Sequence, residues 1–255
     1  MPKLRHTDWP DRLWIVRHGQ SAGNVARDLA ELNGLALIDL ATRDADVPLS
    51  KLGEEQAAAL AQWFAGKPAS ERPNIFMTSP FVRARQTCMA VAEGVAFDAD
   101  DVQVDERLRE KEFGILDRYT RHGIIEKFPE LAEQRKLVGK FYFRPPGGES
   151  WCDVVLRLRS LLEVLRRDHV GDRVLIVGHQ VIVNCFRYLL ECMDEREVLA
   201  HDAKADVPNC GITEYAIDRN APDARFHLVQ ANLALPLQQA GAPVTTEPDQ
   251  PVGPK

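Results

Sequence analysis

No stretch of this chain approaches the roughly 18 consecutive apolar residues that a membrane-spanning helix requires. The longest apolar run near the N-terminus, Leu13-Trp14-Ile15-Val16, is too short and too charged at its flanks for a signal peptide. The sequence therefore predicts neither a membrane protein nor a secreted precursor. A positive excess is missing too: 32 Lys and Arg stand against 38 Asp and Glu, a net charge of -6, which argues against a general nucleic-acid binder. A small anionic ligand remains compatible with that balance, because a few arginines in one pocket outweigh the average field. Cysteines are few and odd in number (Cys88, Cys152, Cys185, Cys192, Cys210) and never spaced C-x-x-C. That suits scattered, mostly buried, reduced thiols in a cytoplasmic protein better than a disulfide framework. His6, His122, His169, His201 and His227 have no H-E-x-x-H or C-x-x-C partner, so no metal site is expected.

What is present is an ordinary globular composition: 255 residues, 45% hydrophobic and 27% charged, enough chain for one domain with a sizeable core. After a polar lead-in over 1–12, Leu13–Val16 reads as a buried strand ending at Arg17-His18-Gly19. Ser50 caps a helix that stops at Gly66, and 74–78 is a second strand broken at Ser79-Pro80. A helix follows from about Phe81 to Glu93, with Gly94 placed as a left-handed cap. Val102–Val104 is a weaker strand, and 106–148, rich in Gly and Pro, reads as an irregular cover segment. Ser150 and Asp153 open a leucine-rich helix ending at Gly171, and Val174–Val177 is a buried strand leading through Gly178-His179 into another helix. Ile212–Ile217 and Phe226–Val229 form a hairpin with Asn220 and Pro222 in its turn. The alternation predicts an α/β fold, a three-layer sandwich with a mostly parallel central sheet and helices on both faces. A single catalytic domain is expected over 1–237, and the proline-rich 238–255 is expected to be a disordered tail.

Open α/β sheets place their sites at the carboxyl ends of the strands. Three predicted strands end there in polar clusters, Arg17-His18-Gly19, Thr78-Ser79 and Gly178-His179, with Arg83 one helical turn beyond Ser79. Two arginines, two histidines and a helix N-terminus make an anion cradle, since Arg stays protonated and grips a phosphoryl group bidentately.

Arg17-His18-Gly19-Gln20-Ser21 with Asn24 resembles the R-H-G-[EQ]-S…N signature of the histidine phosphatase, or phosphoglycerate mutase-like, superfamily. Thr78-Ser79-Pro80-Phe81-Val82-Arg83-Ala84-Arg85-Gln86-Thr87 is similar to its S-x-x-x-R-A-x-x-T segment, and Arg107-Leu108-Arg109-Glu110 through Gly114 to the stretch holding its acid. Gly148-Glu149-Ser150 and Gly178-His179 complete the series in family order. The resemblance implies a phosphoglycerate mutase-like fold, with His18 as nucleophile, Arg17, Arg83, His179, Asn24 and Gln180 as phosphoryl contacts, and Glu110 as the proton donor that later activates water. Ser21, Tyr142, Arg144 and Glu149 are its implied substrate contacts. Arg85 competes with Arg83, and Glu106 and Glu112 compete with Glu110, for these places. Tyr142 and Arg144 are equally consistent with plain surface positions, and Glu149 and Ser150 with helix capping first and the site second.

The stretch from Tyr142 to Ser150 and the pair His179-Gln180 resemble the fructose-2,6-bisphosphatase branch, from which the long 25–49 insertion departs. The expected activity is hydrolysis of a small phosphomonoester through phosphohistidine, without metal or cofactor. Its rivals are a phosphoglycerate mutase-type isomerase, disfavoured by the absence of an adjacent arginine pair after Glu110, and a non-catalytic phospho-ligand binder.

Overall fold

Alternate residues of the first strand go to opposite cores, as the two-residue period of a strand requires. In β1 (Arg12–Arg17), Leu13 and Ile15 join one apolar cluster while Trp14 and Val16 join another. A computed structural model describes residues 8–219 and 226–246; the predicted turn at Asn220 and Pro222 and residues 1–7 lie outside that range. Along the chain follow α1 (Ala22–Leu32), α2 (Lys51–Ala65), β2 (Ile75–Thr78), α3 (Val82–Gly94), β3 (Gln103–Val104), α4 (Arg121–Lys127) and α5 (Pro129–Val138). Then come α6 (Trp151–Asp168), β4 (Arg173–Gly178), α7 (Gln180–Leu190), α8 (Glu195–Lys204), β5 (Ile212–Ile217), β6 (Phe226–Leu233) and α9 (Leu235–Ala240).

The strands form one sheet in the order β3-β2-β4-β1-β5-β6. The first four are parallel, and β5 and β6 run antiparallel at the far edge. Helices α6 and α7 cover one face through Trp151, Leu158, Leu161 and Val183. Helices α2, α3 and α9 cover the other through Leu60, Phe64, Cys88, Val91 and Leu237. Burial on both faces is why β1 and β4 read as unbroken apolar runs. The fold is the expected three-layer α/β sandwich.

The cover segment carries α4 and α5 and its own small core of Leu116, Ile124 and Phe143. It is strapped to the 25–49 insertion by a β-bridge between Leu37 and Tyr119 and by Thr120 Oγ1 donating to the Leu35 carbonyl at 2.5 Å. Arg118 ties the same two segments together, donating to the carbonyls of Leu40 at 2.9 Å and Thr42 at 2.7 Å.

Two expectations need correction. Gly94 completes α3 and has no positive φ; the left-handed residue after the helix is Ala96, at φ 58°. Glycine serves close packing here, because a Cβ on Gly94 would lie 3.0 Å from the Cβ of Ala61 on α2. The tail is ordered at least to residue 246. Leu237 is fully buried, the Asn209 N–H donates to the Thr245 carbonyl at 3.0 Å, and Gln56 Nε2 donates to the Pro243 carbonyl at 2.9 Å. Leu237 just before it and a few hydrogen bonds hold residues 238–246, which composition alone marks as disordered; residues 247–255 lie outside the described range.

The five cysteines are free; Cys88, Cys185 and Cys210 are buried, and burial pushes the Cys88 thiol up to about 12. Among the described residues no helix is long and apolar enough to cross a membrane, and no cluster of His, Cys, Asp and Glu could hold a metal ion.

Candidate active site

The carboxyl ends of β1, β4 and β2 deliver Arg17-His18, His179 and Ser79 to one place, and the first turn of α3 adds Arg83. All five side chains are buried. Arg17, His18 and Arg83 line a small cleft of about 60 Å³, together with Ser21, Asn24, Arg27, Asp44, Glu110, Phe113, Asp117, Arg118 and Gln180, while His179 and Ser79 lie behind His18.

The loop after β1 is fixed almost wholly by main-chain contacts. The His18 N–H donates to the Gly178 carbonyl at 3.0 Å, and the Gly19 N–H to Thr87 Oγ1 at 3.1 Å. Asn209 Nδ2 donates to the His18 carbonyl at 3.0 Å, and Asn209 is itself held by Thr245 Oγ1 at 2.8 Å. The ordered tail thus buttresses this loop. Close packing explains two glycines: a Cβ on Gly19 would fall 2.6 Å from the Gly53 carbonyl oxygen, and one on Gly53 would fall 1.9 Å from that of Gln20.

The imidazole of His18 is oriented by its own neighbour. Nδ1 lies 2.6 Å from the Gly19 carbonyl oxygen, which can only accept, so Nδ1 carries the proton and Nε2 carries a lone pair. Arg83 Nε donates to that Nε2 at 3.2 Å. Burial above all, then the charges of Arg83 and Arg17, hold His18 well below the ordinary histidine range. A neutral imidazole with its unprotonated nitrogen beside a guanidinium is equipped to attack an electrophile whose charge that guanidinium stabilises.

His179 stacks edge-on against His18, ring centres 5.1 Å apart, with Nε2 2.8 Å from Ser79 Oγ. Its Nδ1 is 3.6 Å from Glu110 Oε2. Burial, Arg83 and His18, in that order, lower its pKa as well. Arg17 donates to Gln180 Oε1 at 3.0 Å and to the Val207 carbonyl at 2.5 Å. Gln180 donates in turn to Asp206 Oδ1 at 3.2 Å, so its amide orients Arg17 rather than standing open for an anion. Asn24 Oδ1 and Ser21 form a capping box for α1, and Asn24 also lines the cleft.

The structure separates the sequence competitors. Arg83 is buried in the cleft while Arg85 is exposed. Of the three neighbouring acids, Glu110 lines the cleft; Glu106 is exposed, and Glu112 is half-exposed beside Arg109 at 3.9 Å. Three implied substrate contacts are not brought to the cleft. Tyr142 is exposed, and Arg144 is exposed and paired with Asp153 in the first turn of α6. Glu149 faces Arg109 at 2.6 Å and Arg157 at 3.0 Å, pinning the loop that carries Glu110. Arg157 also donates to the carbonyls of Arg107 and Glu110, which makes it a brace for that loop. Asp44, Arg27, Asp117 and Arg118 line the cleft without any signal in the sequence reading; only a return of the 25–49 insertion over the strand ends brings Asp44 there.

The two neutral imidazoles have a consequence for stability. The unfolded chain takes up protons on these histidines below an ordinary value of 6.5, whereas the folded chain, with both pKa values lowered, does not. Stability should therefore fall as pH drops below that value, by up to about 1.4 kcal/mol per pH unit for each histidine. Urea unfolding between pH 7.5 and 5 should show this slope, and His179→Gln should flatten it. An unchanged slope in that variant would mean that His179 titrates normally in the folded state.

A profile of the Histidine phosphatase superfamily (branch 1) matches residues 13–229. The 2,3-bisphosphoglycerate-dependent phosphoglycerate mutase of Sinorhizobium fredii is 30% identical over 203 residues, 77% of this chain and 87% of that one. The 6-phosphofructo-2-kinase/fructose-2,6-bisphosphatase of Caenorhabditis elegans is 30% identical over 177 residues, 69% of this chain but 33% of that protein. The crystal structure of the alpha-ribazole phosphatase from Shigella flexneri has the same fold, with a TM-score of 0.68, 20% identity, and coverage of 88% of this chain and 96% of that one. Fold, sequence and the match across most of the domain agree: this chain belongs to branch 1 of the histidine phosphatase superfamily.

Proposed function

We propose that the protein hydrolyses a small phosphomonoester through a phosphohistidine on His18. The observation that carries this reading is the set state of His18: Nδ1 is committed to the Gly19 carbonyl, and Nε2 is directed at Arg83 in a cleft also lined by Arg17, Arg27 and Arg118. In the first step Nε2 attacks phosphorus, the P–O bond to the leaving group breaks, and Glu110 gives that oxygen its proton. In the second, water attacks phosphorus and the P–N bond breaks. The water proton goes to Glu110, and the electron pair returns to Nε2. Arg17, Arg83, His179 and the Asn24 amide spread the charge on the transferring oxygens.

Mutase chemistry would use the same intermediate but must keep water away from it. Here the mouth is formed partly by Asp44, 41% exposed at its side chain, and by the exposed Asp117, which supports hydrolysis. Phosphate release with p-nitrophenyl phosphate and a panel of phosphorylated metabolites tests the reading. Hydrolysis without an acceptor supports it, transfer only with a bisphosphate primer turns it toward a mutase, and neither leaves a binding protein.

Fixed guanidinium charge does the work a metal would otherwise do, so chelator should leave turnover intact while vanadate or tungstate inhibits competitively. Arg83→Lys should weaken both turnover and inhibition about tenfold or more, because an ammonium cannot reproduce the fork. Loss of activity on chelation, restored by a divalent ion, would overturn the metal-free mechanism.

A further inference from the structure

Arg83 is already engaged by an anion that belongs to the protein. Asp44, in the short turn 44–46 of the insertion, grips the end of the guanidinium twice: its carbonyl accepts from Nη1 at 2.6 Å and its carboxylate Oδ2 from Nη2 at 3.0 Å. The remaining edge, Nε and Nη2, faces His18, where Nε sits 3.2 Å from Nε2. A phosphoryl group reacting at Nε2 takes its bidentate grip from that same edge. Nη2 keeps a second N–H for that edge, so the conflict is one of charge: a carboxylate about 3 Å from Nη2 would stand against a dianion in the same small space.

We propose that Asp44 is an affinity-setting internal competitor for the phosphoryl site: its carboxylate occupies Arg83 and must swing aside when a phosphate group binds. The proposal rests on the assignment of Arg83 to phosphoryl binding and goes beyond it by assigning the insertion a role.

The surroundings suit such a movement. The chain on either side of Asp44 is anchored. Leu40 and Thr42 are held by Arg118, and the Pro48 carbonyl accepts from the Ala22 N–H at 2.9 Å while the Ser50 N–H donates to the Gln20 carbonyl at 2.9 Å. Val47 is buried. Between these anchors the Asp44 side chain is 41% exposed and the Arg83 side chain 6%, so the carboxylate has water to turn into whereas the guanidinium has none. Rotation of that one side chain carries its negative charge away from the phosphoryl space, and the Asp44 carbonyl keeps Nη1 in place throughout. The carboxylate thereby lowers affinity by the fraction of time that it holds the arginine. Product orthophosphate is subject to the same competition, which favours its release.

The test is direct binding of orthophosphate by calorimetry, which needs no turnover and so stays readable if the hydrolase assignment fails. Asp44→Asn keeps the carbonyl contact and the side-chain volume but removes the charge. It should tighten orthophosphate binding about tenfold and lower KM for p-nitrophenyl phosphate in parallel. Asp46→Asn, which loses only an exposed contact to Arg43, serves as the control for the turn and should change neither. Unchanged orthophosphate binding in Asp44→Asn would overturn the proposal, and weaker binding would overturn it by showing that the carboxylate steadies Arg83 for its ligand. Absence of binding to both the unaltered protein and Asp44→Asn would overturn it as well. Tighter orthophosphate binding without any phosphatase activity would uphold the competition while rejecting the hydrolase.

Discussion

His18→Ala is expected to abolish turnover and leave the fold intact. Alanine can neither attack phosphorus nor carry the phosphoryl group, and loss of a nucleophile costs on the order of 10⁴-fold or more. The fold should survive because the contacts that hold this loop use its backbone. The His18 N–H is bonded to Gly178, its carbonyl to Asn209 Nδ2 and the Cys210 N–H, and the Gly19 N–H to Thr87. The imidazole itself bonds the carbonyl of the next residue and Arg83, and Arg83 keeps its two bonds to Asp44 when the ring is gone. Thermal unfolding should therefore stay cooperative, while rapid-quench labelling of the unaltered protein should trap an acid-labile, base-stable adduct on His18. Robust activity in the alanine variant, or an adduct on serine or aspartate, would reject the mechanism.

The parts of this site that the sequence makes visible are those whose geometry is local. A buried strand must end somewhere, and in a parallel sheet the polar residues at its carboxyl end have one place to go. Arg17, His18, Ser79 and His179 are legible for that reason, and Arg83 because it lies one helical turn past Ser79. Serine caps at Ser50 and Ser150 likewise mark α2 and α6 from a few neighbouring residues. What escapes is whatever depends on return of distant chain. Helix α1 turns Val25, Leu29 and Leu32 toward solvent and buries Asn24 and Ala30, so its apolar residues do not mark the face that packs inward. Helices α4 and α5 pack on a core of their own and not on the sheet. Asp44 reaches Arg83 across 39 positions, and Arg157 braces the Glu110 carbonyl across 47. Glu149 is misassigned by the same blindness: its place in a family motif is right, but only the arrangement of Arg109 and Arg157 shows that it faces them.

The acid is where local reading leaves three candidates, and kinetics should separate them sharply. Glu110 Oε1 accepts the Lys111 N–H at 2.9 Å, which leaves Oε2, 3.6 Å from His179 Nδ1, as the oxygen on the histidine side. Glu110→Gln preserves that shape but cannot transfer a proton. For an alkyl phosphate, whose alkoxide is a poor leaving group, turnover should fall by about a hundredfold or more, the usual size of an acid–base contribution. For p-nitrophenyl phosphate the loss in phosphorylating His18 should be much smaller, because a phenolate of low pKa departs with little help. Glu110 is also the base for water in the second step, so phosphohistidine should accumulate and a burst of nitrophenol should precede slow turnover. Glu106→Gln should change little, since that side chain is exposed. Glu112 is the stricter control: burial and the nearby Glu149 raise its pKa, a property expected of an acid, yet it sits beside Arg109 and outside the cleft that Glu110 lines. If Glu112→Gln showed the leaving-group dependence and Glu110→Gln did not, a raised pKa would have outweighed position. The loop braced by Arg157 would then have to turn Glu112 inward in the reacting state. Equal slowing of both substrates by Glu110→Gln, with no burst, would instead make Glu110 a residue that positions His179 and leave the proton to another donor.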